Sequence, residues 1–261
     1  MMKNLIVFIG FLMGAANVLK AQENGYEELI TDRPDQTESA SIVPAGHFQI
    51  ETGFVFERHE MNSQTHDNLE LFTTLLRYGI NERFELRLGS SYLMHELSGT
   101  GEDVETSGLV PITAGMKFKM LEENGLIPEM AFLAIATLPN SGKEEFSPEN
   151  TATEFRFNAE YTLTDWLGMG INLGGAWNGA SVKPAGVYTL VLATGIGERT
   201  VFFVESYGEF PQHALPDHRM NTGLTYLVKH NMQLDASAGI GLSEISPDFF
   251  VSAGLSWRIP E

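Results

Sequence analysis

Charged side chains recur at every second position in several parts of the sequence. Glu85 is followed two residues later by Arg87, and Glu154 is followed by Arg156. Because successive residues of a β-strand point to opposite faces, each such pair lies on one face of a strand. Charges of both signs on one face can line a polar path for a solute, or they can pair with each other and fill the space. The candidate residues for this role are Glu51, Glu70, Glu85, Arg87, Lys117, Lys119, Glu154, Arg156, Glu160, Glu205, Asp235 and Arg258.

The sequence shows no comparable pattern of residues that could act in catalysis or bind a metal. The chain has no Cys, which excludes a thiolate nucleophile, a thiolate metal site and a disulfide framework. Its 7 His residues fall mostly at predicted strand ends and loops, and no Gly-x-Ser-x-Gly motif is present. A serine nucleophile needs a base within hydrogen-bond reach. His213 and His218 lie near Asp217 without the regular spacing of metal ligands. We therefore expect no catalytic residue, no metal and no cofactor.

The strands that carry these charges are most evident near the C-terminus. In residues 232–242, Leu234, Ala236 and Ala238 alternate with Gln233 and Asp235, and residues 249–259 continue the pattern. Each strand has one apolar face and one small or polar face. The 11 residues of the first segment match the ~9–11 residues that a transmembrane β-strand needs. About twelve segments of this kind follow residue 46.

The segments between the predicted strands alternate in length. Residues 79–83, 163–166 and 229–231 are short connectors, whereas residues 94–108, 139–151 and 211–220 are longer and polar. Outer-membrane barrels combine an even strand number with short periplasmic turns and longer outer loops. The sequence thus predicts an all-β fold, an antiparallel transmembrane β-barrel of about 12 strands over residues 46–261. A soluble β-sandwich or lipocalin-like barrel is the alternative, but its strands are usually nearer ~5–6 residues.

The N-terminus predicts export. Lys3 precedes an uncharged run over residues 4–19, and Lys20, Ala21 and Gln22 follow. This order of charge, apolar stretch and small residue is typical of a signal peptide, which we place at residues 1–21. Its removal leaves 14 basic and 34 acidic residues, a formal charge of −20. We expect an outer-membrane location, contact with lipid and the barrel-assembly machinery, and no nucleic-acid partner, because phosphate binding needs basic residues.

Residues 22–45 lack strand alternation and form an irregular N-terminal segment. Asp32, Arg33 and Asp35 lie here beside Pro34 and Pro44, which favour turns and extended backbone. The segment is expected to be either a plug inside the barrel, with Asp32, Arg33 and Asp35 as its charged residues, or a strap in the periplasm. We favour a plug that constrains the lumen.

Eight short stretches, made mostly of turn and lumen-facing residues, are spread over nearly the whole mature chain: residues 31–38, 44–46, 49–53, 76–85, 203–205, 207–208, 233–239 and 254–258. Together they resemble the outer-membrane family named for the meta-pathway of phenol degradation. The resemblance implies an outer-membrane β-barrel of a kind generally described as a transporter, with aromatic catabolism suggested by the family name. One departure is that residues 259–261 follow Trp257, where outer-membrane strands commonly finish on an aromatic residue.

Together these features predict a channel that passes a small, aromatic or hydrophobic solute by passive diffusion. Barrels of ~8 strands leave room only for side chains and barrels of 16–18 strands leave an aqueous channel, so twelve strands favour a filled or plugged resting state. An outer-membrane hydrolase and a structural or adhesive barrel without transport are the alternatives. The solute and the oligomeric state stay open.

Overall fold

The computed structural model describes residues 29–99, 101, 103–180, 183–212 and 214–259. The predicted signal peptide and residues 22–28 of the N-terminal segment lie outside these ranges, as does His213. Within the described ranges, no helix is long and apolar enough to cross a bilayer.

The described residues form thirteen β-strands and one short 3-10 helix at Glu144–Phe146, and every pair of neighbouring strands is antiparallel. The strands are β1 Phe48–Met61, β2 Gln64–Asn81, β3 Phe84–Ser98, β4 Val104–Leu109, β5 Thr113–Leu121, β6 Glu129–Thr137, β7 Ala152–Thr164, β8 Leu167–Trp177, β9 Ala185–Gly195, β10 Thr200–Phe210, β11 Asp217–Lys229, β12 Met232–Gly241 and β13 Phe249–Arg258.

The sheet closes into a barrel because β1 pairs with both β2 and β13. Strands β4 and β5 both pair with β3, β4 along its later half and β5 along its earlier half. They are therefore successive parts of one strand position, interrupted over residues 110–112 at Pro111, which has no backbone N–H to donate. The barrel thus has twelve strand positions, which confirms the predicted fold class.

The two ends of the barrel differ in their connectors. One end carries both ends of the chain, where Gln49 pairs with Arg258, and its turns span residues 82–83, 122–128, 165–166, 196–199 and 230–231. We call it the short-turn end. The opposite, long-loop end has connectors at residues 99–103, 138–151, 178–184, 211–216 and 242–248, besides a two-residue hairpin at residues 62–63. In outer-membrane barrels the short turns are periplasmic.

The alternation of side chains makes the barrel polar inside and apolar outside. On β3, Glu85 is 0% and Arg87 5% exposed, whereas Leu86 and Leu88 are 44% and 47% exposed. Large exposed apolar side chains are found on every strand of the barrel except β6, and most buried side chains on the strands are polar or charged. This is the reverse of a soluble protein and matches a barrel whose outer face contacts lipid.

Strand β2 contains a β-bulge that the sequence pattern did not reveal. Its pairing with β3 shifts between Leu71, opposite Tyr92, and Thr74, opposite Ser90. Phe72 at this point has a φ of 51° and is 72% exposed. A bulge inserts one extra residue, so the alternation changes phase along the strand. This explains why both faces of residues 68–78 look partly apolar in the sequence.

One predicted connector was wrong. Residues 94–108 were expected to form a polar loop, but β3 continues to Ser98 and β4 begins at Val104. The acidic and small residues of this stretch lack apolar alternation, although they form a strand that pairs with β3.

Candidate channel lumen

The described part of the N-terminal segment, residues 29–45, lies inside the barrel. We call it the plug. Leu29, Ala40 and Val43 of the plug are 6%, 0% and 1% exposed. Its end is fixed near the short-turn end, where Ala45 bridges Gly79 on β2. An irregular backbone buried in this way must find partners for its N–H and C=O groups, and the two sides of the barrel wall supply them differently.

One side, the charged wall, consists of Glu51 on β1, Arg77 on β2, Glu85 and Arg87 on β3, and Lys117 on β5. All five are at most 5% exposed. Arg77 donates to Glu51 and to Glu85, each at 2.8 Å. Arg77 and Arg87 are directly opposite in the register of β2 and β3, an arrangement that is unfavourable for like charges. The wall therefore needs further negative charge.

The plug supplies that charge through Asp32. Its Oδ2 accepts from Arg87 Nη1 at 2.7 Å and from Lys117 Nζ at 2.9 Å. The same oxygen lies 2.9 Å from Arg77 Nη1 in an ion pair. Burial by itself raises the pKa of Asp32, but Arg77, Lys117 and Arg87 outweigh it and hold the pKa well below its usual range. Glu38 adds a second carboxylate, 2.8 Å from Arg87.

The opposite side, the backbone-binding wall, consists of Asn158 and Glu160 on β7, Asn172 on β8, Thr189 on β9 and Glu205 on β10. These side chains bond mainly to the backbone of the plug. Glu205 accepts from the N–H of Gln36 at 3.0 Å and Glu160 from that of Ala40 at 2.9 Å. Asn172 accepts from the N–H of Glu38 at 2.8 Å and donates to its carbonyl at 2.9 Å. Asn158 donates to the carbonyl of Ser39 at 3.1 Å.

Arg33 extends toward a third region, where the barrel closes. Its guanidinium donates to Asp235 on β12 at 3.1 Å, to Ser252 on β13 at 3.1 Å and to Thr73 on β2 at 3.1 Å. It crosses Gly53 and Gly254, which are paired in the register of β1 and β13. A Cβ on either glycine would collide with the Arg33 guanidinium. The glycines therefore provide the groove in which Arg33 lies.

The remaining predicted residues take part in smaller contacts. Arg258 donates to Gln49 at 3.3 Å, and Lys119 contacts Glu129 at 3.1 Å near the short-turn end. Glu70 accepts from Ser91 at 3.0 Å. Arg156 pairs with Glu154 on the same strand and donates to the carbonyl of Gln36 at 2.8 Å. The other predicted residues, Glu51, Glu85, Arg87, Lys117, Glu160, Glu205 and Asp235, make the contacts to the plug and charged wall given above.

A cavity of about 560 Å³ lies against the plug within the barrel. Asp35 and Gln36 contribute to it from the plug, and the wall contributes both apolar and charged side chains. Among the described residues, Asp35 has the one carboxylate of the plug that forms no ion pair with a basic side chain. Burial and then the neighbouring Glu205 raise its pKa well above the usual range. The wall residues are Val55, Glu57, Asn68, Glu70, Thr73, Leu93, Arg156, Val187, Tyr188, Thr189, Tyr207, Gly208, Glu209, Asp217, Arg219, Ser237, Phe250 and Ser252.

Comparison with protein families decides the relationship. The model of the family described as "Putative MetA-pathway of phenol degradation" matches residues 31–259. The chain belongs to this family. This match confirms the family resemblance seen in the sequence. It begins at residue 31, within the plug.

The chain shares its fold with several outer-membrane proteins of known structure. It resembles the COG4313 outer membrane channel from Pseudomonas putida F1, with a TM-score of 0.67 and 13% identity over 88% of this chain and 100% of the other. The NanC porin has a TM-score of 0.51 and 9% identity over 81% and 100% of the two chains. The transport unit of the autotransporter AIDA-I from Escherichia coli has a TM-score of 0.54 and 8% identity over 95% and 97%. The search of curated proteins found no significant match. The chain has the porin-like fold of an outer-membrane β-barrel channel.

Several residues that line the lumen were not among the residues predicted from the sequence. Arg77 was not selected because the bulge at Phe72 reverses the phase of β2, and an unbroken alternation puts Arg77 on the apolar face. Asn158, Asn172 and Gln49 carry no charge and were not selected by a search for charged residues. For Asn158 and Gln49 the available signal was their position two residues before Glu160 and Glu51, on the same face of the strand.

Proposed function

We propose that this protein is a passive outer-membrane channel for a small solute with an aromatic or other apolar part, and that the plug controls its passage. The observation that carries the proposal is that the lumen is filled by a chain segment attached to the wall at one end. Wall side chains that fill a barrel cannot leave it. A segment held by hydrogen bonds and ion pairs can move, and its movement changes the width of the path.

The cavity beside the plug supports the choice of solute. Tyr188, Tyr207 and Phe250 supply aromatic surface to it, while Glu70 and Asp217 are among its polar groups. Ligand pockets of about 300–1,000 Å³ commonly combine apolar walls with a few polar groups that orient the ligand. The cavity has the size for one small molecule, and the family name is consistent with an aromatic one.

The test compares the mature protein with a variant that lacks residues 23–41, both reconstituted in liposomes. Swelling in solutions of small phenols and sugars, and single-channel conductance, report the flux. We expect low flux in the unaltered protein, higher flux in the deletion variant, and a greater gain for aromatic solutes than for sugars of similar size. Equal flux and equal barrel stability in both proteins would contradict the role of the plug.

The same preparations separate the alternatives. Hydrolysis of lipid or peptide substrates by the purified barrel would favour an enzyme. Absence of flux in both proteins, with the barrel folded, would favour a structural or adhesive role.

A further inference from the structure

A row of histidine side chains lies at the long-loop end of the barrel. His59 on β1 and His66 on β2 are directly opposite each other, and their ring centres are 6.3 Å apart. His95 on β3 continues the row, with its ring centre 5.8 Å from that of His66. His59 and His66 line a cavity of about 240 Å³, so both rings face the inside of the barrel mouth.

The ring of His59 lacks the partners that a buried polar group normally has. Its two ring nitrogens are both buried without a hydrogen-bond partner. Buried polar atoms in native proteins are nearly always paired, and an exception calls for a role or an unseen ligand. His95 differs, because its Nδ1 lies 2.7 Å from the Oδ1 of Asn68. An amide oxygen only accepts, so Nδ1 of His95 donates and its Nε2 keeps a free lone pair.

The spacing of His59 and His66 fits a shared metal ion. Zinc binds imidazole nitrogen at about 2.0–2.1 Å, which places two rings that share one ion roughly 5 Å apart between their centres at a tetrahedral angle and roughly 6.3 Å apart when the nitrogens and the ion are collinear. The 6.3 Å between His59 and His66 lies at the upper end of this range, and a rotation of either ring toward the other brings both nitrogens to a tetrahedral ion. Among the described residues, no three His, Asp or Glu side chains converge as a ligand group. The site therefore has two protein ligands, and water completes the coordination.

The carboxylates near His59 and His66 are paired with arginines, so they do not form a binding site for Ca²⁺ or Mg²⁺. Glu57 accepts from Arg219 at 2.7 Å, and Asp67 is 2.6 Å from Arg58. Ca²⁺ and Mg²⁺ require oxygen ligands, whereas imidazole suits Zn²⁺, Cu²⁺ and Ni²⁺. The thioether of Met61, which lines the same cavity, is a further soft donor.

We propose that His59 and His66 bind a transition-metal ion at the long-loop mouth of the lumen. The site shares Glu57, Asn68 and Arg219 with the cavity beside the plug. A bound ion therefore lies at the mouth of that cavity and narrows it. The proposal goes beyond the proposed channel function and does not depend on which solute passes.

The test uses the full mature barrel in detergent micelles, purified without a histidine tag. Calorimetry measures Zn²⁺ binding to the unaltered protein, to His59→Gln, to His66→Gln and to the control His230→Gln, which lies at the short-turn end. We expect one Zn²⁺ per barrel with micromolar affinity. We expect binding about tenfold weaker or more in the first two variants, because each loses one of two protein ligands, and unchanged in the control.

Paramagnetic resonance of bound Cu²⁺ gives an independent measurement. Coupling to two imidazole nitrogens is expected in the unaltered protein and to one nitrogen in His66→Gln. Equal Zn²⁺ binding in all four proteins, competition by excess Ca²⁺, or no binding to the unaltered protein would overturn the proposal. The heat-dependent mobility of the folded barrel on a gel confirms folding, and His66→Asn replaces His66→Gln if that variant does not fold. Because binding is measured without solute, failure here leaves the channel proposal standing.

Discussion

The charged wall and the backbone-binding wall hold the same plug by different physical means. The charged wall binds mainly a side chain, the carboxylate of Asp32, which three cations surround. Its Glu51 and Glu85 also accept from the N–H groups of Asp32 and Val43. The backbone-binding wall contacts N–H and C=O groups of residues 36–40 through carboxylates and amides. The first therefore depends on which side chain the plug carries. The second depends mainly on the path of the plug backbone.

This difference predicts which positions of the plug tolerate amino-acid substitution. A buried ion cluster that loses one member keeps uncompensated charges away from water, which is costly. A hydrogen bond to the backbone survives most side-chain substitutions, since the N–H is present in every residue except proline. Substitutions on the two walls and on the plug test this contrast, and the largest effect is expected at Asp32.

Replacement of Asp32 by alanine should cost the most. Arg77, Arg87 and Lys117 would lose their common partner, and removal of one member of a buried ion pair costs about 3–5 kcal/mol. Urea unfolding of the reconstituted barrel, followed by tryptophan fluorescence, measures the change in the free energy of unfolding. Glu122→Ala is the control, because this exposed partner of Lys119 should change stability little. An Asp32 variant as stable as the control would contradict the importance of the charged wall.

Replacement of Glu205 by alanine should cost less. The N–H of Gln36 and the hydroxyl of Thr37 lose an acceptor, and a buried donor left unsatisfied costs about 1–3 kcal/mol. The same unfolding measurement applies, with Glu205→Gln as the matched variant that retains one acceptor oxygen and should be intermediate. A loss as large as that of Asp32→Ala would remove the distinction between the two walls.

Replacement of Asp35 by asparagine should increase the free energy of unfolding slightly. Burial and Glu205 raise the pKa of Asp35, so ionisation is harder in the folded protein. The unfolded chain ionises from about pH 4 upward, and the folded barrel therefore loses stability as the pH rises through the folded pKa. Asparagine removes this loss, so the advantage of the variant should grow between acidic and neutral pH. Unfolding midpoints measured across that range check it, and a constant difference would contradict the assignment.

Replacement of Gln36 by alanine should have the smallest effect. Its side chain is exposed, and the wall contacts its N–H and its carbonyl. Exposed substitutions of this kind usually stay within about 0.5 kcal/mol. The matched variant Gln36→Pro lacks the N–H and should lose stability comparable to Glu205→Ala. Equal stability of the alanine and proline variants would show that the backbone contact contributes little.

The sequence predicted the barrel well because alternation with a period of two is a local property of each strand. The phase change at Phe72 was not predictable in this way, since a bulge depends on the register with β3. The strand β4 was hidden for a related reason, as its acidic and small residues carry no apolar alternation of the usual kind.

The charged residues of the lumen were predictable, but their partners were not. Alternation indicated that Glu85 and Lys117 face inward. The contact of Lys117 with Asp32 and that of Glu85 with the N–H of Val43 depend on how the plug enters the closed barrel. The neutral residues Asn158 and Asn172 require knowledge of a buried backbone beside them. These contacts link residues more than 100 positions apart, and no local pattern contains that information.

The groove under Arg33 has a consequence for the order of assembly. Arg33 bonds to β2, β12 and β13 at once, and the two glycines beneath it belong to the first and last strands of the barrel. Its binding place is complete only after those strands have met. Arg33 can therefore take its place only in a barrel that has closed in the correct register.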